Sequence, residues 1–325
     1  MAVPWFDLAS LAKPLVTAPL ALAKLDLDQD RREQLGFTDR TEPLTVRQLL
    51  SHSAGLPPWL PYTGEPLAGQ LKRGFPAGAH PKLVPGTPGV SLYSDLGYRL
   101  LAELLEQETG RPFAGLGAES SGLAAAPWPS APPFAPQGPD AEMWRLVEPG
   151  RPFPARDPYL PNDANARAGM RGHAGFAASP VSMRECLRRW LASGVPARMA
   201  VDTARGADGA RWGLGLQRAM TGRGRFGDLL ASIPAGVSGL RLMVQGHVPS
   251  LSPAAPPMAE RPGEPSAFWF HLGFTGPALF FRPEDGLCLA ILAHRVGPSG
   301  ELLDAEQVRA RRWQILAAEV AKLRG

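Results

Sequence analysis

Lysine, tyrosine and cysteine are scarce in this chain, and each scarcity removes something. The 325 residues hold two cysteines, Cys186 and Cys288, far apart in sequence, so neither a disulfide framework nor a Cys-x-x-Cys redox or metal spacing is available. Cys186 falls in a helical pattern and Cys288 in a strand-like run, which reads as two buried free thiols. The six histidines form no His-x-x-x-His or His/Cys pair, so no metal site and no cofactor are expected. No apolar run approaches the ~20 residues that span a bilayer. The stretch from Pro14 to Leu25 is short and is broken by Pro19 and Lys24, and no basic-then-apolar leader precedes it. Only five of the 34 basic residues are lysine, and the arginines behind the formal charge of +4 are scattered. A nucleic-acid binder would carry a basic stripe with interleaved aromatics, which is missing here. The chain as it stands reads as cytoplasmic, or as periplasmic or secreted if its true start lies upstream.

What is present begins with Ser10-Leu11-Ala12-Lys13. Three residues apart on a helix, a serine and a lysine share one face. A lysine so placed takes the hydroxyl proton when its surroundings depress its pKa. Alone the spacing is weak, since serine and lysine fall three apart by chance in many chains. It is followed, in order, by Leu44-Thr45-Val46-Arg47-Gln48-Leu49-Leu50-Ser51-His52-Ser53-Ala54-Gly55-Leu56, by Pro85-Gly86, and by Tyr93-Ser94-Asp95-Leu96-Gly97-Tyr98. Then come Gly172-His173-Ala174-Gly175 and, late in the chain, His271-Leu272-Gly273-Phe274-Thr275-Gly276.

This ordered set resembles the penicillin-binding and serine beta-lactamase-like hydrolases. The resemblance is to the branch with a Tyr-x-Asn second motif, which includes class C beta-lactamases, esterases and D-amino-acid peptidases. It runs from about Phe6 to about Arg295, and thins between about Gly115 and Pro161 and between about Gly222 and Pro265. It implies a beta-lactamase/transpeptidase-like fold, an α/β part joined to an all-α part with the active site in the cleft between them. It also implies roles. Ser10 is the nucleophile, Lys13 its proton acceptor, and Tyr93 the group that passes the proton to the leaving group and helps activate the deacylating water. His271 takes the cationic place of the third motif, where a histidine's help would vary with pH. The oxyanion hole is made by the backbone N–H groups of Ser10 and Phe274. Asp95, His173, Leu272 and Gly273 line the substrate site, and Gly273 lets the substrate backbone approach the strand. The expected partner is a small ester or amide, with no nucleic acid.

Local patterns supply the elements. Ser10 to about Leu25 reads as a helix, with Pro14 tolerated near its first turn. Thr45 to Ser51 reads as a capped helix that Gly55 and the prolines 57 and 58 end. Leu96, Leu100, Leu101, Leu104 and Leu105 make a helical face that stops at Gly110. Val181 to Ser193 is a further helix, and Leu302 to Leu323 a closing amphipathic one. Phe268 to Phe274, Ala278 to Arg282 and Leu287 to His294 are short apolar runs with turn residues between them, the pattern of an antiparallel meander. Gly115 to Pro161 reads as a long surface connection. The division expected is a mostly helical region over residues 1–200 and a sheet with a closing helix over 201–325.

Three departures from the family pattern bear on activity. Only nine residues precede Ser10, whereas the family places a helix and two strands there; a strand of the meander would then carry an unpaired edge. Asp95 stands where the family more often has Asn, adding a negative charge that raises the Lys13 pKa. Leu272 replaces a Thr or Ser whose hydroxyl holds a substrate carboxylate, which argues against an efficient beta-lactamase. The sequence therefore points to a serine hydrolase of esterase or peptidase type. The rival is an inactive, truncated homologue that binds a peptidoglycan-like peptide or a protein partner. Tyr93 as a core aromatic and His271 as a satisfied strand histidine remain the alternatives to their catalytic roles. His52 reads as structural, and His173 is open between lining the cleft and a structural part.

Overall fold

Apolar residues at every position, rather than at every second one, mark strands covered on both faces. Ala278–Arg282 and Leu287–Leu292 are such strands, buried throughout. The computed structural model describes residues 5–73, 86–127, 161–222, 225–244, 264–294 and 303–324. Among them, eight strands form one sheet in the order Val90–Ser91, Ala204–Gly206, Arg211–Trp212, Gln217–Thr221, Glu264–Leu272, Ala278–Arg282, Leu287–Leu292, Leu240–Val244. The meander Glu264–Leu272, Ala278–Arg282, Leu287–Leu292 is antiparallel, with Leu279 opposite His271 and Phe280 opposite Leu289. The outermost pair at each end is parallel.

Alternation along these strands divides the core in two. Leu279, Phe281, Cys288, Ala290 and Leu292 face the helical half of the molecule. Ala278, Phe280, Leu287, Leu289 and Ile291 face the other way, against Leu316 and Val320 of the closing helix Ala305–Arg324. The edge of Leu287–Leu292 is not open. Leu240–Val244 pairs with it in parallel register, Cys288 opposite Leu240. That strand and the helix Arg225–Ala231 lie in a stretch where the sequence pattern is thin, and neither was expected.

On the helical side, Asp95–Thr109 buries Leu96, Leu100, Leu101, Leu104 and Leu105 and ends at Gly110 with φ +66°. Thr45 and Ser179 open Val46–Leu50 and Pro180–Ala192 with capping boxes, to Gln48 and Ser182 respectively. Part of the expected surface connection is ordered, as the helix Phe113–Ser121 and the strand Ala124–Ala125; from residue 128 to 160 it lies outside the described residues, as does Pro85. Cys186 and Cys288 are free and buried. No helix of the described residues is long and apolar enough to cross a membrane.

The segment expected as one helix from Ser10 is not uniform. It opens with a tight turn over Ala9–Leu11, widens through Lys13–Thr17 with Ala18 N–H reaching back five residues to Lys13 O, and becomes α-helical only over Ala18–Lys24. Pro14 and Pro19 lack the N–H groups that a continuous i→i−4 ladder needs, so the ladder shifts register around them. A second, three-stranded sheet lies beside this segment: Phe6–Asp7 pairs with Phe176–Ala178, which pairs with Ala124–Ala125.

Candidate active site

The irregular turn at residues 9–17 brings Ser10 to the mouth of a cavity of about 500 Å³, and Lys13 beneath it. The cavity is lined by Tyr93, Asp95, Trp59 and Asp163 together with Leu272, Gly273 and Phe274. Lys13 is fully buried. Its Nζ donates to Ser10 Oγ at 3.0 Å and to the carbonyl of His173 at 3.2 Å, pairs with Asp95 Oδ1 at 2.7 Å, and stands 5.0 Å from the centroid of the Tyr93 ring. Tyr93 lines the same cavity as Ser10, and its phenol is electrostatically linked to Lys13 and Ser10. Ser10, Lys13, Tyr93 and Asp95 thus form one contiguous network.

Charge in that network is unevenly held. Burial works to strip Lys13 of its proton, but Asp95 and Tyr93 outweigh it, and the ammonium is held above the ordinary lysine value. Burial likewise raises the Tyr93 phenol, against the pull of Lys13. The resting pair is an ammonium and a neutral phenol. This is the effect expected of Asp95: with Lys13 held as an ammonium, the pair accepts a proton only after giving one up.

His271 lies on Glu264–Leu272 with its ring on the cleft side, 6.0 Å from the Tyr93 ring, and its Nδ1 is 3.1 Å from the Gly215 carbonyl. Burial and the nearby Lys13 push its pKa down to about 3. It is neutral across the physiological range, so it does not supply the third motif's positive charge. Leu272 packs against the core on the far side of the sheet while edging the cavity. The neighbouring hydroxyl, on Thr275, is buried and donates to the Asp7 carbonyl at 2.8 Å.

Gly273, which lines the cavity, has a packing constraint as well. A Cβ there would fall 2.8 Å from Leu8 O and 2.7 Å from Pro277 Cγ, so the space beside it is filled by the protein's own Ser10 turn. Gly172 has a similar constraint, with φ +92° and a position only 2.0 Å from Tyr98 O for any Cβ. It sets the bend that presents the His173 carbonyl to Lys13. The His173 ring, 1% exposed, places Nε2 2.8 Å from Asp163 Oδ1. Burial works against the Asp163 charge, but His173 and the Ala166 N–H hold its carboxyl below the usual range.

His52 has a structural part, as expected, and also touches the network. Its Nδ1 accepts the Ser94 N–H at 3.1 Å, and its ring packs 4.6 Å from Tyr93 and 4.6 Å from Trp212. Donor atoms of Asp95, Asp163 and His173 lie within 4.8 Å of one another, a spacing that suits a cation. Of the three, Asp95 already carries the Lys13 ammonium and Asp163 holds the His173 ring.

Sequence reasoning missed Trp59, Asn162, Asp163, Arg309 and Arg312, all of which line the cavity. Arg312 Nε donates to Gly276 O at 2.8 Å, and its Nη2 donates to Gly273 O. Two adjacent arginines, Arg311 and Arg312, on the buried face of the closing helix were the available signal for it. Asn162 and Asp163 carry no comparable pattern.

Residues 5–312 match the family model described as Beta-lactamase. Among solved structures, D-amino acid amidase from Ochrobactrum anthropi SV3, complexed with L-phenylalanine amide, is similar at a TM-score of 0.58 and 15% identity, over 99% of this chain and 85% of that one. A class C beta lactamase from Rhodobacter sphaeroides is similar at 0.55 and 17%, over 98% and 86%. SurE with D-Leu is similar at 0.54 and 20%, over 99% of this chain; the chain spans 64% of the SurE length. At such identities the likeness concerns the fold. No curated protein matches the chain.

Proposed function

The chain belongs to the beta-lactamase family, within the serine hydrolase superfamily, and from that premise we propose that it acts on a small ester or amide through an acyl-enzyme on Ser10. The observation that carries the reading is the 3.0 Å bond between Lys13 Nζ and Ser10 Oγ, with the Tyr93 ring centroid 5.0 Å from that ammonium, at a cavity that Ser10 and Tyr93 both line. The cleft is taken to separate a mostly helical part, residues 1–200, from a sheet part, 201–325.

In the proposed reaction Ser10 Oγ attacks the carbonyl carbon, and the hydroxyl proton passes to the Lys13–Tyr93 pair in its singly deprotonated form. The carbonyl oxygen becomes an oxyanion held by the N–H groups of Ser10 and Phe274. The bond to the leaving group breaks, and Tyr93 returns the proton to that group. Water then attacks the acyl carbon, gives its proton to the same pair, and Ser10 regains a proton as it leaves. His271, being neutral, orients the wall of the site without charge.

Esterase or peptidase action is favoured over beta-lactam hydrolysis because the third motif offers neither a cation nor a free hydroxyl for a substrate carboxylate. A site built to bind a group rejects its absence strongly, whereas an apolar wall discriminates little. The test is kcat/KM for a nitrophenyl ester and a chromogenic cephalosporin, on wild type and Ser10→Ala. Ester turnover should dominate and vanish in Ser10→Ala. Faster cephalosporin hydrolysis would overturn the argument from Leu272 and His271.

One observation favours the inactive reading, namely the ion pair that keeps Lys13 charged. It is separated by pH. An enzyme with a raised pair pKa gains activity as pH rises, whereas a binder has none at any pH.

A further inference from the structure

Asp7 takes no part in the chemistry above, yet it is a carboxylate buried to 7% exposure beside the nucleophile turn. Its two oxygens serve two distant pieces of backbone. Oδ1 accepts the Ala9 N–H at 2.8 Å, and Oδ2 accepts the Asn162 N–H at 2.9 Å. Its own carbonyl accepts the Thr275 hydroxyl at 2.8 Å. Neither oxygen is within ion-pair distance of a cation among the described residues. The charged groups around it are Asp163, which opposes ionisation, and Arg167, which favours it.

Each bond holds a different wall of the site. Ala9 has φ +44°, in the left-handed region that a residue with a Cβ occupies only when its surroundings fix it. The Asp7–Ala9 bond is that fixation, and it sets the direction of the next peptide, which bears the Ser10 N–H. Asn162 precedes Asp163, the partner of the His173 ring, whose carbonyl receives Lys13. Thr275 follows Phe274, the other proposed oxyanion donor. Arg312 grips the same turn from the opposite side, through the carbonyls of Gly273 and Gly276. The close contact of Gly273 with Leu8 O packs the two turns together.

We propose that Asp7 is a positioning residue: its carboxylate fixes the turn that bears the Ser10 N–H against the Asn162–Asp163 wall, its carbonyl ties that turn to Thr275 beside the Phe274 N–H, and together they shape the oxyanion hole. The inference rests on the serine hydrolase reading. It requires a carboxylate rather than any small polar group. An asparagine offers one acceptor oxygen, and its amide would turn N–H toward the second backbone N–H.

The experiment compares wild type, Asp7→Asn and Thr275→Val with a nitrophenyl ester, and with a phosphonate inhibitor that mimics the tetrahedral intermediate. Displaced oxyanion donors weaken transition-state binding and leave substrate binding nearly unchanged. In Asp7→Asn, kcat should fall about 10- to 100-fold with KM within about twofold, and inactivation by the phosphonate should slow in proportion. Thr275→Val, which removes only the tie to the second turn, should lower kcat by a smaller factor, again with KM unchanged. If Asp7→Asn does not fold, Thr275→Val decides alone, and an unaltered kcat there overturns the assignment. With wild type active, an Asp7→Asn enzyme of wild-type kcat, or one whose loss lies wholly in KM, overturns it too. Wild type with neither turnover nor inactivation overturns the hydrolase reading and this assignment with it.

Discussion

The turn that carries Ser10 and the strands that face it are built by opposite rules. Along Ala278–Arg282 and Leu287–Leu292 the apolar side chains go to the core their parity dictates, and each strand is laddered to a neighbour on both sides. Between Phe6 and Thr17 the ladder changes register around Pro14, Ala9 takes φ +44°, and Asp7 and Lys13 are buried as charged or chargeable groups. Regular structure satisfies its own hydrogen bonds and therefore has none to offer a substrate. Irregular structure leaves N–H groups and side chains turned into the cleft, and depends on neighbours to stay in place. Stability should reside in the first region and chemistry in the second.

Mutations can break that division in either direction. Lys13→Met removes the ammonium from the network, and kcat/KM for a nitrophenyl ester should fall by about 10² to 10⁴; steady-state kinetics give the answer, and wild-type turnover would place the chemistry elsewhere. On the far face of the sheet, Phe280→Ala should cost about 3–5 kcal/mol of stability by urea denaturation while leaving kcat of the folded protein unchanged.

Asp7 sharpens the contrast because it sets function against stability. Burial raises its pKa from 3.8 to about 6, so the folded state prefers it neutral. A raised acid contributes stability that is full below its unfolded pKa and lost as pH rises through the folded one. That loss amounts to about 3 kcal/mol between roughly pH 4 and 7. Asn imitates the neutral acid, so the stability of Asp7→Asn relative to wild type should improve by about that amount over the same range, even as kcat falls. Parallel denaturation curves at the two pH values would refute it.

The smallest effect is a displacement along the pH axis. Asp95 holds Lys13 above its ordinary value, so the deprotonated pair becomes populated only as pH rises, and ester turnover should climb with pH. Asp95→Asn removes both the ion pair and its charge, and the ascending limb should move to lower pH. A limb that stays in place would show that Lys13 is not the group titrating.

Much of the regular half was legible in the sequence, since period and turn residues act locally. The meander, the Leu96–Leu105 helical face and both capped helices follow from neighbours a few residues apart. The motif order also located Ser10, Lys13, Tyr93 and His271. What stayed hidden depends on contacts across the chain. The neutrality of His271 comes from burial, the Asp7 bond to Asn162 spans 155 positions, and each residue of Leu240–Val244 finds its partner 48 positions on. Asp7 left one local trace, an acid inside the apolar run Phe6 to Leu8. Gly273 carries a constraint the sequence did not show, because a Cβ there would meet Leu8 O.

The central claim, that Ser10 forms the acyl-enzyme, is tested most directly by treating the protein with a fluorophosphonate probe above neutral pH and mapping the adduct by peptide mass spectrometry. A single adduct on Ser10, absent from Ser10→Ala and suppressed in Lys13→Met, is the predicted result. An adduct on another residue, or labelling of Ser10→Ala equal to wild type, would contradict it.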